Sequence, residues 1–259
     1  MNKTTSRKRI LILGGTTEAN ELANSLAQDP HFDVITSRAG VTKTRKAVSG
    51  KERIGGFGGV KRLKEYLREH QIVAVIDATH PFAQAMTVNA FTACQDMVIP
   101  HIVLSRPKWL QTGEDNWIKV QSLESAIDYL QAIKKPLRIF VTTGQKELNN
   151  FTRISHHHYL ARMIETPDIN PLPLNLEVLF ERGPFSLENE IKLLHNHKID
   201  IIVSKNSGGN ATVAKLHAAR KLDLPIVMIS RPILPAAQIA ESLAEVHSWL
   251  SDHGKTLQN

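Results

Sequence analysis

The chain has 259 residues, 42% of them apolar and 22% charged, with a formal net charge of +7. That length holds one large domain or two compact ones with separate cores, in a composition ordinary for a soluble globular protein. A single cysteine, Cys94, excludes an intrachain disulfide and a thiolate zinc cluster. No run nears the roughly 20 apolar residues of a membrane span, and the basic N-terminus has no apolar signal core, so a cytoplasmic enzyme with no membrane partner is expected. Basic residues are spread out, and only three Tyr and three Trp are available to stack on bases, which argues against nucleic acid. A cleft that concentrates a small anionic ligand accounts best for the charge; a basic surface kept for solubility is the alternative.

Taken in order, Ile10–Leu13 reads as a buried strand that stops at Gly14-Gly15, and Glu18–Gln28 as a helix with Leu22, Ala23 and Leu26 on one face. Phe32–Thr36 is a second strand, Lys61–Glu69 a short helix, Ile72–Ile76 a strand, Ala83–Ala93 a helix and Ile102–Leu104 a strand. Ser122 caps a helix that carries Ala126, Ile127, Leu130 and Ile133 at helical spacing. Lys134-Lys135-Pro136 then breaks the pattern and marks the expected boundary between a domain over 1–134 and one over 135–259. Strands at Ile139–Val141 and Tyr159–Ile164 follow, with Glu177–Leu179 a strand or a helix start. Ser186 caps a helix over Leu187–His195; Ile199–Val203 (strand), Ala211–Arg220 (helix), Ile226–Ile229 (strand) and Ala236–Leu250 (helix) complete the chain. Near-continuous apolar strands alternating with helices predict an α/β fold of parallel sheets covered on both faces. Ile139 to Glu147 repeats Ile10 to Glu18 at an offset of 129, and Ser230-Arg231-Pro232 repeats Ser105-Arg106-Pro107 at 125. Two matches in the same order favour two similarly built domains.

A strand running into glycines and a helix start gathers backbone N–H groups and a positive helix end at one point, which suits a phosphate. Gly14, Gly15, Thr16, Thr17 and Glu18 occupy that position, with Ala19 where the third glycine or alanine of a dinucleotide fingerprint sits; a tight structural turn is the alternative. The second strand ends in Ser37-Arg38 with no carboxylate at its tip, and a guanidinium there suits a 2′-phosphate, hence NADPH rather than NADH. Gly55-Gly56-Phe57-Gly58-Gly59 lets backbone approach a ligand closely or moves as a lid. Asp77-Ala78-Thr79-His80-Pro81 ends a strand where open α/β sheets place their ligand crevice, so Thr79, His80 and Pro81 join the cofactor set, and Asp77 and His80 can position a ribose or relay a proton. In the second half, Thr143, Gly144 and Lys146 and the segment Lys205, Ser207, Gly208, Gly209 form a nest for an anionic substrate, within reach of Arg231 and Arg106. Surface roles are the alternative for both arginines. His156-His157-His158 is not expected to bind metal, because consecutive residues on an extended chain face opposite ways.

Assembled in this order, the sequence resembles the precorrin-6A reductase family of cobalamin biosynthesis. The segments that carry the resemblance are Gly14-Gly15-Thr16-Thr17-Glu18-Ala19, Thr36-Ser37-Arg38-Ala39-Gly40, Arg53-Ile54-Gly55-Gly56-Phe57-Gly58-Gly59 and Asp77-Ala78-Thr79-His80-Pro81-Phe82-Ala83. Gly183-Pro184-Phe185-Ser186, Lys205-Asn206-Ser207-Gly208-Gly209 and Ser230-Arg231-Pro232 extend it over nearly the whole chain. Arg38 and the pair Lys61-Arg62 depart from the family's pattern, the first with a bearing on cofactor choice. The resemblance implies two Rossmann-like domains, each a mainly parallel sheet flanked by helices, with NADPH and an anionic tetrapyrrole meeting in the cleft between them. It implies hydride delivery to one ring carbon–carbon double bond of precorrin-6A and a proton at the neighbouring carbon, from Asp77, His80, Lys205 or bound water, giving precorrin-6B. Transient contact with neighbouring pathway enzymes is a further expectation. The alternatives are a cobalt-precorrin-6A reductase using NADH and a non-catalytic nucleotide sensor with the same fold.

Overall fold

The computed structural model describes residues 7–40 and 47–253. In chain order its elements begin β1 (Lys8–Leu13), α1 (Thr17–Leu26), β2 (Phe32–Arg38), β3 (Lys51–Ile54), α2 (Val60–Glu69), β4 (Ile72–Asp77), α3 (Gln84–Met97) and β5 (His101–Leu104). Next come β6 (Trp117–Val120), α4 (Leu123–Ala132), β7 (Arg138–Val141), a 3-10 helix (Gln145–Arg153), β8 (His158–Met163) and β9 (Leu176–Phe180). The last are α5 (Leu187–Asn196), β10 (Ile201–Lys205), α6 (Ala214–Lys221), β11 (Ile226–Ile229), β12 (Gln238–Ala240) and α7 (Leu243–His253). No helix among the described residues is long and apolar enough to cross a membrane.

The strands form two parallel six-stranded sheets, in the orders β3-β2-β1-β4-β5-β12 and β9-β8-β7-β10-β11-β6. Counted along each sheet this is the doubly wound Rossmann order, with its switch point between the first and fourth strands. The sixth strand of each sheet comes from the other half of the sequence. β6 follows β5 in the chain yet pairs with β11 through Trp117–Val120, and β12 follows β11 yet pairs with β5 through Gln238–Ala240.

That exchange moves the domain boundary. The break at Lys134-Lys135-Pro136 points to units over 1–134 and 135–259, but the compact units comprise the described residues up to Arg106 with those from Ile233 on, and Pro107–Pro232. The crossings fall at the repeated Ser-Arg-Pro segments. The basic Lys134-Lys135-Pro136 stretch is only the loop from α4 to β7 inside the second unit.

In the first unit β1 divides its side chains between two layers, as strand alternation requires. Ile10 and Ile12 pack with Leu22, Ala23 and Leu26 of α1 and with Val246, Trp249 and Leu250 of α7. Leu11 and Leu13 pack with Leu63 and Leu67 of α2 and with Ala90, Ala93 and Cys94 of α3. In the second unit Phe140, Ile202 and Met228 meet Leu194 of α5 and Leu216, Ala218 and Ala219 of α6. Residues 236–250 are not one helix: β12 comes first, Ile239 is exposed, and α7 starts after Ser242, whose hydroxyl accepts from Glu245 N. Burial holds the Cys94 thiol up at about 12, with the Asp77 charge adding to it, so this cysteine is a packing residue. His157 is buried, with Nδ1 accepting from Leu137 N at 3.2 Å and Nε2 bonded to Leu130 O at 3.0 Å, the arrangement of a neutral imidazole.

Candidate functional site

In the first unit the turn after β1 is drawn tight against its neighbours. A Cβ on Gly14 would lie 3.2 Å from Thr36 Cγ2 and 3.4 Å from Ala19 Cβ, so the first glycine is set by close strand–helix packing. Gly15 has φ +125°, a conformation glycine alone adopts readily, and open space faces it. Thr16 is the N-cap of α1: its Oγ1 accepts from Ala19 N at 3.1 Å and donates to Ala78 O at 2.8 Å. That hydroxyl therefore ties the turn to the end of β4, and any anion here meets the backbone N–H groups of the helix start instead. Glu18 of the first helical turn is paired with Arg106, whose Nη1 lies 3.1 and 3.0 Å from its two carboxylate oxygens, so Arg106 offsets a charge that an incoming phosphate would feel.

At the tip of β2 the structure adds partners that the sequence did not show. Arg38 is buried, with Nη1 3.0 Å from Glu52 Oε1 and Nη2 donating to Asn20 Oδ1 at 2.9 Å. The carboxylate missing from β2 is thus supplied by the adjacent strand β3. Arg53, also on β3, donates through Nη1 to Ser37 Oγ at 3.1 Å and to Gly55 O, and through Nη2 to Gly56 O at 3.0 Å. Its guanidinium stacks over Phe57 at 3.8 Å, and Phe57 packs edge-on to Tyr66. Arg53 was not among the expected site residues. Its signal was a basic residue just ahead of a glycine run at the end of a strand.

β4 ends at Asp77, which has no exposed surface. Asp77 Oδ1 accepts from Thr79 N at 3.0 Å and from Thr79 Oγ1 at 2.6 Å, which fixes the turn that presents His80. Asp77 thus shapes the turn through Oδ1, while its Oδ2 is buried with no hydrogen-bond partner among the described residues. His80 is exposed and its Nδ1 accepts from Phe82 N at 3.3 Å. Pro81 is buried in the turn, three residues ahead of the start of α3 at Gln84.

In the second unit the counterpart of the first turn has changed character. Gly144 keeps a positive φ, +96°, but Gln145 stands where Thr16 caps α1, and no side chain caps the helix that follows. That segment is a 3-10 helix rather than an α-helix. Thr143 is buried, and its hydroxyl has no hydrogen-bond partner among the described residues; Lys146 is exposed. Lys205 is ion-paired with Glu147.

The loop after β10 is braced on two sides. Arg231 donates through Nε to Asn206 O at 3.0 Å and through Nη2 to Ser207 O at 3.1 Å. Trp109 N donates to Asn206 Oδ1 at 2.8 Å, Asn206 Nδ2 donates back to Trp109 O at 3.0 Å, and the Trp109 indole donates to Gly209 O at 3.1 Å. Gly208 is confined: its φ is +68°, and a Cβ there would lie 2.1 Å from Pro107 O and 2.7 Å from Arg231 Nη2. Arg231, expected to bind substrate, thus holds the loop's carbonyls. Ser207 and Gly208 are largely buried, and Gly209 is partly exposed. Among the described residues no group of three or more His, Cys, Asp or Glu is placed to hold a metal ion.

Two doubly wound units, one with a glycine turn opening onto a capped helix at a strand end, define an α/β protein of the Rossmann class. The family model described as precorrin-6x reductase CbiJ/CobK matches residues 9–251, and the chain belongs to that family. It is 42% identical over 249 residues to the precorrin-6A reductase of Rhodobacter capsulatus, covering 96% of this chain and 98% of that one. The precorrin-6A reductase of Mycobacterium tuberculosis is 40% identical, with 94% and 97% covered. The cobalt-precorrin-6A reductase of Priestia megaterium is 31% identical, with 92% and 96% covered. A solved structure of a CobK precorrin-6A reductase superposes with a TM-score of 0.88 at 41% identity, covering 95% of this chain and 97% of that chain.

Proposed function

We propose that the protein reduces one ring carbon–carbon double bond of precorrin-6A with NADPH, giving precorrin-6B in cobalamin biosynthesis. The observation that carries this reading is the capped glycine turn of the first unit in a chain whose relatives at about 40% identity are named precorrin-6A reductases. The cofactor falls to the first unit. Gly14 allows close packing, Gly15 leaves open space, and the α1 N-terminus offers N–H groups to a pyrophosphate over the stretch Thr16, Thr17 and Glu18. Arg53 and the Glu52-paired Arg38, with the Ser37 hydroxyl bonded to Arg53, form the tip for the 2′-phosphate, while Gly55, Gly56, Phe57, Thr79, His80 and Pro81 line the approach. When bound, the dihydronicotinamide supplies the hydride. The chain's own task is to hold donor and acceptor in near-attack geometry and to keep water out.

The substrate falls to the second unit, at Thr143, Gly144, Lys146, Lys205 and the Ser207-Gly208-Gly209 loop that Arg231 braces. Of the three side chains considered for proton delivery, His80 and Lys205 retain exposed surface, whereas Asp77 acts as a positioning residue. One observation favours a second reading, reduction of a cobalt-precorrin with NADH: Glu52 sets a carboxylate 3.0 Å from Arg38, where a ribose hydroxyl ligand would stand. The test is anaerobic turnover of precorrin-6A with each reduced nicotinamide, with the product identified by mass. NADPH consumption matched by a two-hydrogen gain supports the reading. Consumption of NADH only, with a cobalt-containing substrate, favours the second, and nucleotide binding with no consumption of either points to a sensor.

A further inference from the structure

The second unit contains a pocket of about 290 Å³ beside the Asn206 loop, and nothing in the proposed reaction has yet used it. Lys108, Lys119 and Arg231 line it together with Trp109 and Trp117, and no acidic side chain does. Lys108 and Lys119 are exposed, and no hydrogen bond or ion pair engages either of them among the described residues. Three cationic side chains and no acidic one border this concavity, which gives it a positive potential that attracts an anion.

The pocket is also held in shape from outside. Its Trp109 wall is stitched to the Asn206 loop by the reciprocal amide bonds and the indole bond to Gly209 O. Lys215 of α6 backs the Trp109 ring at 5.0 Å. Further along the same segment the Asp115 carboxylate accepts from Thr112 N at 2.8 Å and from Arg220 Nε at 2.9 Å and Nη2 at 3.1 Å, which pins the loop to α6. Burial raises the carboxyl's proton affinity, but the Arg220 and Thr112 bonds outweigh it and hold Asp115 below the usual carboxylate range.

We infer that this pocket is a recognition subsite for the carboxylate-bearing edge of the macrocycle, with Lys108 and Lys119 pairing with acetate and propionate arms and Trp109 and Trp117 flanking the ring that bears them. The inference rests on the proposed reading that the substrate is a polycarboxylate tetrapyrrole. The volume fits one ring and its arms, since it lies just under the range of roughly 300–1,000 Å³ that whole small molecules fill. Flat aromatic walls with lysines at the rim match a ligand that is apolar in its plane and anionic at its edge. The subsite adjoins Asn206, so a macrocycle edge held there lies next to the loop assigned to substrate.

The experiment uses the full chain and uroporphyrin as a stable polycarboxylate macrocycle. Two of the three tryptophans line the pocket, so quenching of their fluorescence reports binding. The double variant Lys108→Gln, Lys119→Gln is expected to bind uroporphyrin at least about tenfold more weakly, and to raise KM for precorrin-6A with kcat nearly unchanged. NADPH affinity stays at the wild-type value, and the surface control Lys134→Gln changes nothing. Unaltered uroporphyrin affinity and KM in a double variant that still turns over overturns the subsite and leaves the reaction standing. Release of uroporphyrin by inorganic pyrophosphate assigns the pocket to phosphate and also overturns it. A wild-type protein that neither binds the macrocycle nor reduces precorrin-6A fails the underlying reading, and the subsite with it.

Discussion

The two units share one strand order and part company at the turn after their first strand. In the first, Gly14-Gly15-Thr16 leads into an α-helix whose cap, Thr16, also holds the end of β4. In the second, Thr143-Gly144-Gln145 keeps the positive-φ glycine, loses the capping hydroxyl and runs into a 3-10 helix. One side chain thus separates a helix end with organised donors from one without. The bracing of the opposite strand end is reversed. β4 leads into a turn that Asp77 holds from within, whereas β10 leads into a loop that Arg231 and Trp109 hold from outside. The difference teaches that two frames of one strand order diverge at their turns, and under the proposed reading that divergence is what assigns the cofactor to one unit and the substrate to the other.

The comparison can be broken most forcefully at the glycines. Gly208→Ala places a Cβ 2.1 Å from a carbonyl oxygen as well as straining φ, so a loss above about 3 kcal/mol is expected in denaturant unfolding. Gly15→Ala strains φ alone, because open space faces it, and about 1–2 kcal/mol is expected. Equal losses at the two positions contradict this account of the turns.

Selectivity tests the cofactor half. Arg38→Ala is expected to weaken NADPH binding by about 10- to 100-fold and NADH binding far less, which titration calorimetry resolves. Glu52→Gln removes the competing carboxylate and shifts preference a few-fold further towards NADPH. A smaller effect sharpens the comparison of helix starts: Thr16→Ala costs about 1–2 kcal/mol of stability through the lost cap and the lost Ala78 bond, whereas Gln145→Ala costs under about 0.5. Thermal unfolding of both variants checks it.

The smallest effect is on pH dependence, and it belongs to the second unit. Burial holds the His157 imidazole below its ordinary range, so the folded state leaves it neutral while the unfolded chain binds a proton near pH 6.5. The unfolded state then binds more protons in acid, so His157 contributes stability above that pH and loses it as pH falls below. His157→Gln is expected to flatten the decline in Tm between about pH 7 and pH 5.5; an unchanged slope assigns the decline to other groups.

Much of this architecture was legible because it is local. Ile10–Leu13, Ile72–Ile76 and Ile226–Ile229 are apolar runs with glycine, proline or polar stops, and all three are buried strands. The exchange of sixth strands was not legible, since β6 and β12 are short edge strands of mixed polarity whose sheet is decided by pairing far along the chain. A faint signal did exist: Val120-Gln121-Ser122-Leu123 and Ala240-Glu241-Ser242-Leu243 repeat at an offset of 120. At the site, residue types were readable and their commitments were not. Thr16, Arg38 and Arg231 were readable as a hydroxyl and two guanidiniums near strand ends, but not that Ala78, Glu52 and the Asn206 loop engage them, since such partners lie 18 or more residues away or on another strand. Arg53 escaped notice because its Ser37 partner lies on another strand and its stacking on Phe57 depends on how the glycine turn folds back.

The division of duties is tested most directly by one NADPH titration of two variants, Arg38→Ala with Arg53→Ala in the first unit and Thr143→Val with Lys146→Ala in the second. The account predicts a loss of about 10- to 100-fold for the first pair and wild-type affinity for the second. Wild-type affinity in the first pair with a loss in the second contradicts it and moves the cofactor to the other unit.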